Sequence, residues 1–378
     1  MKANSSKNSA GANAVLEPVQ TRSSAEALLV GLDWGTNISS VVTSLRGSTE
    51  TVTKELIPTV VGYAKDGVLP GVLPDDSKMH FGRMALKHKS NLSLVRPLRG
   101  GVIADTEAAG DFARHLGTVL KAGGREVRAV IGMPASSDLA SRDNARNAVR
   151  GVFDKVIFVP EPFLAALGVR NEANLNDPDY QDPVLNSIYI DIGAGSTDVC
   201  LVQGHYPTVD DQLSVPFAGD AVDQIILDKI LAEYPESGLT LARVREIKEK
   251  HSWVLSEDGM TPAIATIMVG GKPHKIDVTA QVGAGCEALL QKTFEMTSAL
   301  IARANPDTVS ELLGNIIITG GGSLIKGLGV ALQSKLIEEG FEAPRVRVLG
   351  DNYKDYVAAG ALKVARMARD NQWQTLLG

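Results

Sequence analysis

Residues 187–204, SIYIDIGAGSTDVCLVQG, decide the fold of this chain. Two apolar, β-favouring runs, 188–190 and 199–202, flank a turn with an acid, glycines and hydroxyl residues, a pattern that predicts a β-hairpin. The glycines let backbone N–H groups approach an anion, and the carboxylate of Asp191 is a ligand type that Mg²⁺ prefers. The stretch therefore favours a hairpin that holds Mg²⁺ and phosphate, although an ordinary hairpin turn explains the same residues as well.

A second copy of this pattern lies near the N-terminus. Residues 29–42 read LVGLDWGTNISSVV, and Asp33-x-Gly35 superposes on Asp191-x-Gly193, 158 positions later. Repetition of one specialised hairpin at this spacing predicts an internal duplication. The chain would then contain two related α/β domains, each offering one phosphate-binding hairpin to a shared cleft, with chance repetition as the alternative.

Glu161 directly follows an apolar run at 156–159 and precedes a small-residue helix pattern at 164–169. It is therefore expected at the carboxyl end of a strand and the start of a helix, where open α/β sheets bind ligands and helices favour anions. A glutamate in this place can equally be a first-turn residue that complements the helix dipole.

A third glycine turn, Gly320-Gly321-Gly322-Ser323, follows the predicted strand 315–319. Three consecutive glycines remove the side chains at a position where a ring or a phosphate must lie against the backbone. By contrast, the Gly- and Pro-containing segment 58–80 predicts a loop-rich inserted subdomain.

Composition and charge limit the classes of function that this chain can have. The chain has 378 residues, of which 44% are hydrophobic, and this supports two to three folded domains. A net charge of −6 argues against a dedicated nucleic-acid binder. Cys200 and Cys286 lack metal-ligand spacing and are expected to be reduced core thiols. No apolar run reaches the ~18 residues that span a membrane, and the polar residues 1–26 are expected to form a disordered tail.

With the motifs DWGTN, DIGAGSTD and TGGGS in this order, the chain resembles the actin / Hsp70 / sugar-kinase ATPase superfamily over about residues 28–368. The segment VREIKEKHSWV at 244–254 resembles the actin segment that clasps adenosine, which indicates the bacterial actin branch. Within it, AVIGMPA, VPEPFLAALG and NIIITGGGSLIKGL are most similar to the actins of magnetosome-forming bacteria.

This resemblance implies an α/β, actin-like ATPase fold with two duplicated RNase H-like domains and smaller inserted subdomains around a nucleotide cleft. The expected divisions are a tail at 1–26, a first domain at 27–186 plus 350–378 with an insert at 56–95, and a second domain at 187–349 with an insert at 217–279.

The resemblance also implies which residues hold MgATP. Asp33 and Asp191 would orient Mg²⁺ through its waters, and Glu161 would place the attacking water. Phosphates would be held by Gly35, Thr36 and Asn37 from one domain and by Gly193, Ala194, Gly195, Ser196 and Thr197 from the other. The remaining contacts would come from Gly219 and Asp223 near the nucleotide, Lys248 and Glu249 at adenine and ribose, and Gly320, Gly321, Gly322 and Ile325 on the other wall. Trp34 is bulkier than the residues common there and is expected to change packing behind the turn without removing a phosphate contact.

The implied function is an ATP-hydrolysing cytoplasmic actin that polymerises into filaments and positions magnetosomes. Its partners would be further copies of itself and magnetosome-associated proteins, with no direct nucleic-acid contact and no membrane insertion. By analogy, contacts along the filament would involve residues 58–80 and the opposite end of the second half of the chain.

Three alternatives stay open: a plasmid-partition actin, a cell-shape actin, and a non-polymerising ATPase of the same fold. Shape actins carry an amphipathic or apolar membrane-binding segment, which the hydrophilic N-terminal tail does not match. For the third class, the sequence offers neither a persuasive kinase substrate pocket nor a β-rich substrate domain of the chaperone type.

Overall fold

The computed structural model describes residues 27–135, 137–254 and 262–376, so the expected tail at 1–26 lies outside the described residues. The strands are β1 (Leu28–Asp33), β2 (Ile38–Leu45), β3 (Thr53–Pro58), β4 (Val61–Ala64), β5 (Met79–Phe81), β6 (Leu92–Val95), β7 (Leu98–Arg99), β8 (Val102–Ile103), β9 (Val127–Met133), β10 (Lys155–Pro160), β11 (Ser187–Ile192), β12 (Thr197–Val202), β13 (Gln212–Val215), β14 (Ile264–Val269), β15 (Lys272–Asp277), β16 (Ile316–Thr319), β17 (Val346–Val348) and β18 (Gln374–Thr375). The helices are α1 (Gly82–Lys87), α2 (Thr106–Leu120), α3 (Leu139–Ala148), α4 (Glu161–Val169), α5 (Gly219–Glu233), α6 (Leu241–His251), α7 (Thr279–Ile301), α8 (Val309–Leu313), α9 (Leu328–Glu338) and α10 (Tyr353–Met367).

Two large mixed sheets share one plan. Their strand orders are β18-β10-β9-β1-β2-β3 and β17-β16-β11-β12-β13, with an antiparallel hairpin beside a parallel neighbour in each. Asp33 pairs with Ser40 across the first hairpin, and Asp191 pairs with Asp198 across the second. Asp191 lies 158 positions after Asp33, and Asp198 lies 158 positions after Ser40. The two hairpins therefore have the same register. The predicted two-domain α/β architecture is therefore present.

Helices α4 and α10 lie between the two sheets and join them. A buried cluster contains Leu29 of the first sheet and Tyr189 of the second together with side chains of both helices. The helices cross so closely that a Cβ on Gly360 would lie 1.8 Å from the Leu164 carbonyl oxygen. This tight crossing fixes the N-terminus of α4, and hence Glu161, at the junction of the two domains.

The segment expected to be loop-rich contains regular structure. Strands β4 and β5 form a three-stranded sheet with β6 in the order β5-β4-β6, and one 3-10 turn, Pro74–Asp76, lies between them. The segment is loop-rich as expected, since only residues 58, 61–64 and 79–80 within it lie in strands, but β4 also pairs with β6 outside the segment, Val61 opposite Val95. Local Gly and Pro content does not reveal a pairing over that distance.

Apolar residues at 289, 290, 294, 300 and 301 predict an amphipathic helix over residues 286–303, but helix α7 begins at Thr279. The extra turns contain Gly285, where a Cβ would lie 2.8 Å from Ile226 of α5. The glycine thus permits a close helix–helix contact, although glycine ordinarily disfavours a helix interior.

Cys200 and Cys286 are buried and free, as the sequence predicts. At the C-terminal end, strand β18 pairs with β10, and α10 packs on β1. In the described part of the chain, no helix combines the length and apolarity needed to cross a bilayer.

Candidate functional site

The turns of the two duplicated hairpins meet at one place between the sheets. A Cβ on Gly195 would lie 2.6 Å from Thr36 Oγ1 and 2.7 Å from the backbone nitrogen of Gly100. Thr36 Oγ1 in turn accepts a hydrogen bond from the Gly101 N–H at 3.0 Å. Only glycine fits at position 195, because any side chain there would force the two domains apart.

A cavity of about 470 Å³ opens beside these turns and brings together most of the predicted site residues. It is lined by the predicted Asp33, Gly35, Thr36, Asn37, Glu161, Asp191, Gly193, Ala194, Gly195, Ser196, Gly219, Lys248, Glu249, Gly320, Gly321, Gly322 and Ile325. Ligand pockets of roughly 300–1,000 Å³ hold small molecules of nucleotide size.

Two predicted site residues do not line the cavity. Thr197 is buried and donates its hydroxyl hydrogen to the Phe217 carbonyl at 2.7 Å, so its side chain stabilises β12 against the following loop. Asp223 is fully buried behind the cavity wall and forms ion pairs with Arg245 and Lys248. Direct contact of these two side chains with a ligand is therefore not expected.

Three carboxyl groups, of which Asp191 is buried and Asp33 and Glu161 are half-buried, converge on the cavity from separate elements. Asp33 ends β1, Asp191 lies in β11, and Glu161 begins α4. Burial raises the pKa of Asp33 to about 7. Burial and then the charge of Asp33 raise the pKa values of Glu161 and Asp191 well above their usual range.

The acid cluster fits a hydrated divalent cation. Neighbouring carboxylates cannot all ionise without a compensating positive charge, and in residues 27–135, 137–254 and 262–376 no cation pairs with Asp33, Asp191 or Glu161. The same residues contain no group of three or more His, Cys, Asp or Glu arranged to hold a metal directly. Mg²⁺ usually keeps several waters, so Asp33 and Asp191 fit the predicted water-mediated contacts, and a bound Mg²⁺ would offset phosphate charge.

We expect the free energy of unfolding to fall as the pH rises from about 4 to about 7 when metal and nucleotide are absent. The pKa of Asp33 is raised from 3.8 to about 7 in the folded state, so the folded protein holds this proton more tightly than the unfolded chain. This contribution is complete below the unfolded pKa and lost as the pH rises through the folded pKa. Urea unfolding in a chelator across this window measures it, and Asp33→Asn should flatten the slope; an unchanged slope would contradict the assignment.

One wall of the cavity is a network of charges. The charges of residues 244–254 recur three and four positions apart, a pattern that predicts a mostly solvated helix face. Arg245 donates from Nε to Asp223 at 2.7 Å and from Nη2 to Asp220 at 2.6 Å. Lys248 donates to the Gly219 carbonyl at 2.7 Å and pairs with Asp223 at 2.7 Å. The network fixes α6 against the start of α5. Arg245 and Asp220 line the cavity and were not predicted, although Arg245 precedes Lys248 by one helical turn on the same face.

The third glycine turn forms another wall of the cavity. The reason for a glycine differs from one position of this turn to the next. Gly320 has φ +79° and ψ 177°, and a Cβ there would lie 2.4 Å from Asp191 Oδ1. A Cβ on Gly322 would lie 2.2 Å from Ile192 Cγ2. Packing against β11 thus requires these two glycines, whereas a Cβ on Gly321 would meet Tyr353 Oη only at 3.5 Å.

Tyr353 is a lining residue that the sequence did not indicate. It begins α10, three residues before Tyr356, where the alanine-rich pattern predicts the closing helix to start, and it reaches the second domain at Gly321. Burial, then the charges of Glu249 and the aspartates, raises the pKa of Tyr353 to about 12, so its hydroxyl stays a hydrogen-bond donor. Trp34, in contrast, is buried and stacks on Phe112 with ring centroids 6.5 Å apart, which agrees with the expected packing behind the first turn.

Comparisons with known proteins identify the family of this chain. The family model described as MreB/Mbl protein matches residues 29–372. The actin-like protein MamK of Paramagnetospirillum magneticum is 31% identical over 357 residues, which are 92% of this chain and 95% of that protein.

Solved structures show the same likeness. A MamK double helical filament is 30% identical and aligns over 91% of this chain and 100% of its own with a TM-score of 0.80. A non-polymerising MamK mutant bound to AMPPNP is 29% identical over 90% of this chain and 99% of its own, with a TM-score of 0.63. The fold is thus the actin-like fold, and the chain belongs to the MreB/Mbl family of bacterial actins.

Proposed function

We propose that this chain is a cytoplasmic ATPase that binds MgATP between its two domains and polymerises into filaments. The observation that carries the proposal is the meeting of two duplicated glycine turns and three acidic side chains at one cavity of about 470 Å³. Solved relatives support it, since one is a double helical filament and another is bound to AMPPNP.

In this proposal the chain's own groups divide the work of hydrolysis. Backbone N–H groups of the turns around Gly35 and Gly193 hold the phosphates, and Asp33 and Asp191 hold the hydrated Mg²⁺. Glu161 orients a water in line with the terminal phosphate and accepts its proton. A carboxylate beside a polyphosphate is electrostatically costly, so turnover is expected to be slow.

Hydrolysis would be coupled to assembly through the domain angle. Both turns contact the same phosphates in this proposal, and Glu161 lies on the helix that joins the two sheets. Loss of the terminal phosphate would therefore change how the domains close on the cleft and weaken contacts between subunits.

We further propose that the filament positions magnetosomes and that magnetosome-associated proteins are its partners. The support is the identity of about a third to MamK proteins over most of the chain. A cell-shape role is the second candidate, because the matching family model is that of MreB/Mbl and a Mbl protein of Bacillus subtilis is 26% identical.

ATP-dependent sedimentation tests the polymerising function. We expect the protein to pellet with MgATP and to stay in the supernatant with EDTA, because the cleft needs both nucleotide and cation to close. Hydrolysis without pelleting at any protein concentration would instead indicate the non-polymerising ATPase. Fluorescence imaging of the tagged protein in its host separates the two filament roles. Filaments along magnetosome chains would support magnetosome positioning, and patches along the cell wall would support a cell-shape role.

A further inference from the structure

Arg96 lies between β6 and β7, beside the first hairpin turn, and it holds one residue of that turn. Its Nη1 donates a hydrogen bond to Oδ1 of Asn37 at 2.8 Å. A guanidinium carries only donors, so its partner on the amide must be the oxygen. The Asn37 NH₂ group therefore points away from Arg96, and Asn37 lines the cavity.

Arg96 is exposed and does not itself line the cavity, so it would act on a bound ligand through Asn37. Within the described ranges no carboxylate forms an ion pair with Arg96, whereas Arg245, which lines the cavity, is neutralised by Asp220 and Asp223. Burial and then the charge of Arg245 lower the pKa of Arg96, and Asp220 opposes them. In the described part of the chain, the side-chain hydrogen bond that Arg96 forms is the one to Asn37.

We propose that Arg96 is a positioning residue that locks the Asn37 amide with its NH₂ group toward the nucleotide phosphates. Without Arg96, the amide can rotate and present its oxygen, which a phosphate repels. The guanidinium also polarises the amide, which makes the NH₂ group a stronger donor. This inference rests on the proposed nucleotide binding and adds a residue through which one domain recognises the phosphates.

Calorimetric titration of the full-length chain with AMPPNP and with adenosine, both in Mg²⁺, tests the inference. Arg96→Ala should weaken AMPPNP binding by about 10-fold, the worth of one charge-assisted hydrogen bond, and leave adenosine binding unchanged. Arg96→Lys should recover most of the loss, because an ammonium also donates to Oδ1. Arg99→Ala, an exposed arginine three positions away, is the matched control and should bind like wild type.

A double variant separates positioning from direct contact. If Arg96 acts through Asn37, Arg96→Ala combined with Asn37→Ala should bind AMPPNP no more weakly than Asn37→Ala alone. Multiplied losses in the double variant, a parallel loss of adenosine binding, or wild-type AMPPNP affinity in Arg96→Ala would each overturn the inference. Failure of the wild-type protein itself to bind AMPPNP would overturn the proposed function, and this inference with it.

Discussion

Glu161→Gln is expected to lower the rate of ATP hydrolysis by about 10²–10⁴-fold, the usual contribution of a general base. The substitution keeps the shape of a half-buried side chain that begins α4 and lines the cavity with Asp33 and Asp191. It removes the group that accepts the proton of the attacking water. Nucleotide binding and assembly should persist, because the phosphate-holding turns and the two aspartates are untouched. Phosphate release and sedimentation, measured on the same sample, check both parts of the expectation.

The matched control is Glu107→Gln. Glu107 is also an acidic residue in the first turn of a helix, α2, but it is exposed and lies outside the cavity lining. The Glu107→Gln variant should hydrolyse ATP at nearly the wild-type rate. It still loses the favourable interaction of a first-turn carboxylate with the helix dipole, which is at most about 1 kcal/mol at an exposed site. Wild-type hydrolysis in Glu161→Gln would leave Glu161 with only the helix-dipole role.

Gly320→Ala should abolish nucleotide binding and destabilise the protein. At φ +79° and ψ 177° the backbone adopts a region that is essentially restricted to glycine, with a strain of roughly 1–3 kcal/mol for other residues. The added Cβ would also lie 2.4 Å from Asp191 Oδ1 and 2.4 Å from the Ile192 carbonyl oxygen. Such overpacking costs roughly 1–3 kcal/mol more and displaces a carboxylate that is proposed to hold the hydrated cation.

Gly47→Ala separates these two effects. Gly47 has φ +81° and nothing within 4 Å of its added Cβ, so the variant carries backbone strain without a collision. It should lose about 1 kcal/mol of unfolding free energy and bind AMPPNP normally. Urea unfolding and AMPPNP titration of both variants give the comparison, and normal AMPPNP binding by Gly320→Ala would contradict the place of this turn in the site.

The features that the sequence predicts well are local ones. Each hairpin is specified by apolar runs around a short glycine turn. The apolar runs and the turn residues therefore suffice to place Asp33 and Asp191 at the turn. Glu161 was placed for the same reason, since an apolar strand runs directly into a small-residue helix. The 158-residue repeat then predicts that the two hairpins face one cleft, and their shared register agrees.

The features that the sequence did not predict depend on contacts between distant elements. The charges of α6 fit a solvated helix face equally well, and only the packing of α6 on α5 reveals that Arg245 joins Asp220 to Asp223. Tyr353 enters the cavity because α10 returns to the first domain near the end of the chain. Thr197 looked like part of the phosphate turn, yet the neighbouring Phe217 carbonyl takes its hydroxyl.

An electron cryomicroscopy structure of the protein assembled with AMPPNP and Mg²⁺ tests the proposed filament and its nucleotide site most directly. We expect filaments whose subunits hold the nucleotide between the turns at Gly35 and Gly193. The cation should lie within one water of Asp33 and Asp191, and Glu161 should face the terminal phosphate. A protein that forms no filaments under these conditions, or filaments with nucleotide density outside this cleft, would contradict this expectation.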